Sequence, residues 1–67
     1  MNLRRDFTEP ECEFLREVCN FTAEERRIFD MRVRDHSCVE VALALGMSES
    51  SLYRRIRNIK RKISRVF

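Results

Sequence analysis

Seven basic residues and no acidic one follow Glu49 in this 67-residue chain. Within "SESSLYRRIRNIKRKI", Arg54, Arg57 and Arg61 recur at three- and four-residue steps, with Ser48 and Ser50 just ahead of them. Guanidinium groups at that spacing share one side of a helix. Their chemistry is charge-assisted hydrogen bonding, bidentate to a phosphate or to the O6 and N7 edge of guanine. Glu49 adds an acceptor suited to cytosine N4, and Tyr53 a phenol able to lie against bases or a sugar-phosphate backbone. Catalysis finds no comparable support. The chain has no glycine-rich phosphate loop, paired-carboxylate constellation or metal-ligand spacing, so no enzyme, cofactor, metal or small-molecule substrate is expected. His36, the sole histidine, lacks a nucleophile or metal partner and reads as an exposed loop residue.

Positioning these side chains falls to a small domain. A chain of this length buries only about 60% of the surface its unfolded form exposes, so locally packed helices are the economical core. One glycine and one proline leave little material for β-turns. Charge is unevenly divided: residues 1–35 hold seven basic and nine acidic side chains (−2), and residues 36–67 hold seven and two (+5). A basic second half suits a polyanion, although a solvated helix face would look the same. Six acids and one base between Thr8 and Glu25 should turn away from such a partner, toward water or a basic protein surface. No apolar run approaches the length of a membrane span or signal peptide, so a cytoplasmic protein without membrane contact is expected. Cys12, Cys19 and Cys38 fit neither a disulfide framework nor a zinc site and read as buried reduced thiols, the first two on one helix face.

A helix-start signal recurs three times. "TEPE" (Thr8 to Glu11), "TAEE" (Thr22 to Glu25) and "SCVE" (Ser37 to Glu40) each place a hydroxyl three residues before a glutamate, the pattern of a capping box. Phe7 and Phe21 precede the first two as candidate staples, and Ser48 is a fourth cap without the glutamate. The chain is therefore read as one all-α, four-helix domain over residues 1–67, with residues 1–7 expected to be flexible. Apolar spacing gives helices over about Glu9–Cys19 (Cys12, Leu15, Val18, Cys19), Ala23–Arg34 (Ile28, Phe29, Met31, Val33), Cys38–Leu45 (Cys38, Val41, Ala42, Leu45) and Glu49–Arg65 (Leu52, Ile56, Ile59, Ile63).

Between the last two helices lies only "GMS". Gly46 can take positive φ, Met47 can point inward, and Ser48 caps the next helix. Small Ala42 suits a close crossing. Such a joint makes either a helix-turn-helix or a plain αα-hairpin. The stretch from Phe21 to Ile63 resembles the promoter-reading region four of bacterial sigma factors. That family reads Leu or Phe, then Thr/Pro-x-Glu-Arg and an apolar pair before Leu/Met-Arg. After a short loop come Ser-x-x-Glu-(Ile/Val)-Ala-x-x-Leu-Gly-(Ile/Val/Met)-Ser-x-(Ser/Gly)-(Thr/Ser)-(Val/Leu) and a basic helix. Thr22, Glu25, Arg26, Arg32, Ser37, Glu40, Val41, Ala42, Leu45, Gly46, Ser48, Ser51 and Leu52 take its places. LuxR-type response-regulator domains look similar, but carry a further helix where this chain ends at Phe67. The sigma-like kinship is therefore the one expected, with double-stranded DNA as partner and transcription regulation in a bacterium or phage as role. A separate polymerase-binding domain does not fit in 67 residues, so an autonomous sigma factor is not expected.

With Leu52, Ile56, Ile59 and Ile63 buried, helical geometry puts Ser50, Arg54, Arg57 and Arg61 on the opposite face, flanked by Tyr53 and Asn58. Glu49, Ser50, Tyr53 and Arg54 are expected at base edges. Ser48, Arg57 and Arg61 are expected at phosphates, and the resemblance adds Arg32. Arg55, Lys60 and Lys62 fall near the stripe's edges and read as solvent-facing. Val39 and Leu43 lie off the core side of the third helix, where the family is polar. Either the first helix covers them, or they form a patch for RNA polymerase, another regulator or self-association, to which Val66 and Phe67 would add. In that alternative the basic helix supplies only general DNA affinity.

Overall fold

The computed structural model describes residues 7–66. Four helices and no strand occur among them: α1 (Glu9–Val18), α2 (Ala23–Val33), α3 (Cys38–Leu45) and α4 (Glu49–Ser64). The all-α expectation holds. Residues 1–6 and Phe67 lie outside the described residues, and with them most of the segment expected to be flexible. Phe7 is half-buried against the core.

Local chemistry explains each start. Thr8, Thr22 and Ser37 all form the full reciprocal box with Glu11, Glu25 and Glu40. The amide of Thr22 donates to Glu25 Oε1 at 2.9 Å, and that of Ser37 to Glu40 Oε1 at 3.0 Å. The returning carboxylates carry the charge these amides favour. Thr8 holds Glu11 below its ordinary value, and Ser37, then His36, does so for Glu40. His36 is thus half-exposed and leans on Glu40 at 3.4 Å. Phe21 packs tilted on Phe29, with ring centroids 5.2 Å apart, and so staples to the second turn of α2 rather than the first.

The turns share a device the sequence disclosed only once. Gly46 takes φ 65°, as its position suggests, and Asn20 (φ 54°) and Asp35 (φ 75°) do the same between the earlier helices. Asparagine and aspartate tolerate the left-handed region better than other non-glycine residues. Each reversal therefore carries its own left-handed residue.

The core unites Cys12, Leu15 and Cys19 of the α1 end, Ile28 and Phe29 of α2, Val41 and Ala42 of α3, and Leu52, Ile56, Ile59 and Ile63 of α4. Helices α2, α3 and α4 pack on one another. Met31, Val33, Cys38 and Leu45 only partly join them. Val18 departs from expectation: it is 44% exposed, because it sits about a quarter-turn off the stripe of Cys12, Leu15 and Cys19. Arg16 ties α1 down, donating to Asp30 at 2.6 Å with its guanidinium 5.7 Å from the Phe29 ring centre. The three thiols are free, and burial pushes those of Cys12 and Cys19 up. No described helix is long and apolar enough to cross a membrane.

The two readings of Val39 and Leu43 separate here. They are 54% and 78% exposed, so α1 does not cover them. Leu43→Glu should therefore leave the thermal midpoint nearly unchanged, within about 0.5 kcal/mol of stability, as for an ordinary surface substitution. A variant that unfolds would return Leu43 to the core.

Candidate nucleic-acid interface

The α3–α4 joint is built by hydrogen bonds. Gly46 N–H donates to Leu43 O at 3.3 Å, and Met47 N–H reaches back to Ala42 O at 3.0 Å. This nested pair is a Schellman motif, and it requires the left-handed residue at its centre. Met47 turns partly onto the core, which sets the direction in which α4 leaves. Ser48 then takes extended backbone, and its Oγ accepts the Ser51 amide at 3.2 Å. No glutamate completes this cap. Ser51 stands there, with its hydroxyl 3.1 Å from Ser48 Oγ.

From this start α4 separates its two sides cleanly. Leu52, Ile56, Ile59 and Ile63 are buried, whereas Ser50, Arg54, Arg57 and Arg61 are exposed together with Glu49 and Tyr53. Among the described residues Arg54, Arg57 and Arg61 form no ion pair. Their neighbours do: Arg55 Nε meets Glu24 at 2.8 Å, and Lys62 Nζ meets Glu25 Oε1 at 2.5 Å. Acids of α2 thus neutralise the cations on one flank of α4 and leave the outer face charged.

No protein-family model, curated protein or solved structure matches this chain. The geometry of the face must therefore carry the functional reading.

Cys38 at the start of α3, followed by Glu49, holds the Tyr53 phenol above its ordinary pKa. It is thus a neutral hydroxyl at physiological pH, able to donate one hydrogen bond. Arg32 differs from the α4 arginines, being half-buried with Nη1 donating to His36 O at 2.6 Å. It pins the α2–α3 loop, and a guanidinium has donors to spare for a second partner.

Two lysines depart from the solvent-facing expectation. Lys62 is drawn inward by Glu25 and also donates to Asn20 O at 3.2 Å. Lys60 is half-buried and, with Tyr53, Ile56 and Arg57, lines a recess of about 350 Å³ on the other flank of α4. Its seven-residue spacing from Tyr53 was the available signal, since two helical turns return a side chain almost to the same bearing. No group of three or more acids, histidines or cysteines able to hold a metal occurs among the described residues.

Proposed function

We propose that α4 is a recognition helix that reads duplex DNA in the major groove, and that the chain acts as a small transcription regulator through the α3–turn–α4 helix-turn-helix. The observation that carries this reading is the row Arg54, Arg57 and Arg61, exposed and unpaired opposite the buried stripe. An unpaired guanidinium row favours a polyanion, because binding releases the counterions condensed on DNA. The N-terminal residues of a groove helix meet base edges, which assigns Glu49, Ser50, Tyr53 and Arg54 to bases. Arg57 and Arg61 meet phosphates farther along, joined by Ser48 at the positive end of the helix dipole and by the spare donors of Arg32. The resemblance to sigma region four supports the same assignment.

Oligonucleotide selection followed by anisotropy titration tests it. Arg54→Ala should weaken the selected site about tenfold and spare random DNA, as expected for one lost bidentate contact. Arg61→Ala should weaken both alike and flatten the logarithmic salt dependence by about one unit. Equal losses on selected and random DNA for both variants would sink the base-reading assignment.

The exposure of Val39 and Leu43 favours a second reading, in which α3 docks RNA polymerase or another regulator while α4 supplies general DNA affinity. A selection that enriches no sequence would favour it.

A further inference from the structure

We propose that the outer face of α1 is a docking surface for a cationic amphipathic segment of another protein. Phe14 and Val18, four residues apart, form an apolar ridge there, 48% and 44% exposed. Beside it run Glu9, Glu13 and Glu17, all exposed and at four-residue steps. Glu9 meets Arg16 only at 3.7 Å, and Glu13 and Glu17 have no ion-pair partner among the described residues. The ridge ends in a groove of about 310 Å³, where Val18, Cys19 and Val66 offer apolar surface beside Asn20, Lys62 and Arg65.

Charge selects the occupant. Three carboxylates repel duplex DNA and an anionic membrane. A second copy's α1 would bring acid against acid. A second copy's α4 matches in charge, but its outer face of Ser50, Arg54, Arg57 and Arg61 has no apolar ridge to set against Phe14. What fits is a helix or strap with an aliphatic row flanked by lysine or arginine. Its aliphatic end would seat in the groove, where Glu25 already neutralises Lys62. Its basic residues would lie along Glu9, Glu13 and Glu17, away from Arg65. This surface does not depend on what α4 binds.

The test uses the full chain and a synthetic amphipathic peptide with a leucine row flanked by lysines, beside a version flanked by glutamates. Amide shifts on adding the lysine peptide should concentrate at Phe14, Glu17, Val18, Cys19 and Val66. Glu13→Lys with Glu17→Lys should weaken the peptide at least about tenfold, as should Phe14→Ser, and the glutamate peptide should not bind. Circular dichroism establishes that each variant is folded. Should Phe14→Ser unfold, the double charge reversal at exposed Glu13 and Glu17 still decides. Unchanged affinity in the charge reversal, equal binding of both peptides, or shifts centred on Val39 and Leu43 would overturn the proposal. So would self-association of the wild type that Phe14→Ser abolishes. Titrating the same variants with DNA keeps the two readings apart, because none of these substitutions touches α4.

Discussion

Lys62→Met is expected to lower stability by about 3 kcal/mol at neutral pH, the lower end for breaking a buried ion pair from one side. The Glu25 side chain is only 7% exposed, so its charge depends on partners inside the fold. Burial alone would raise its pKa, but the Lys62 hydrogen bond and the Thr22 amide outweigh burial and hold the carboxyl below its ordinary value. Methionine keeps the aliphatic stem and removes the ammonium, leaving a buried carboxylate with the Thr22 amide alone. A domain of this size has a total stability of only several kcal/mol, so the variant should be close to unfolding.

The pH dependence has a definite sign. A folded pKa below the unfolded one contributes stability that is present above the unfolded value and is lost as pH falls through the folded value. The wild type should therefore weaken on acidification below about pH 4 as Glu25 takes up its proton. In the methionine variant burial dominates, the carboxyl moves upward, and protonation relieves the strain. The stability gap should narrow from pH 7 to pH 4 in urea titrations. A gap that stays constant would mean that Glu25 does not depend on Lys62 for its charge.

Gly46→Val should lower stability by about 2 kcal/mol, since a left-handed backbone costs an L-residue about 1–2 kcal/mol and β-branching adds to it. The cause is backbone alone. A Cβ built on Gly46 meets nothing within 4 Å, so no clash contributes. Gly46→Asn should accordingly recover much of the loss, whereas a steric site would penalise asparagine as well. A drop of 2 kcal/mol moves the thermal midpoint of a domain this small by roughly 10 °C. An unchanged midpoint would show that the Schellman turn is absent in solution. DNA binding should fall with it, because the turn aims α4.

What could be read from the sequence was local. Three capping boxes, the Ser48 cap and Gly46 each rest on residues within three or four positions of one another, where geometry leaves little choice. The buried stripe of α4 was equally plain, as its apolar residues repeat over three turns. Contacts between distant segments were not. Glu25 and Lys62 are 37 residues apart, and nothing in either neighbourhood reveals that one neutralises the other. The left-handed Asn20 and Asp35 were hidden because both residue types serve many other purposes. Val18 looked like core because a short helix can place its apolar stripe in more than one way. For the candidate site, this meant that the arginine row was legible while the pairing of Arg55 and Lys62 with the acids of α2 was not.

The missing glutamate in the α4 cap has a dynamic consequence. Helices α1, α2 and α3 are fastened at their first turn by two reciprocal hydrogen bonds, whereas α4 has one side-chain acceptor on a backbone amide. Its opening turn, Glu49 to Leu52, should exchange amide hydrogens sooner than the first turns of the others, through local opening rather than unfolding. The end of the helix that would meet a base edge is then also the end free to adjust its pitch, and contact with a partner would slow that exchange.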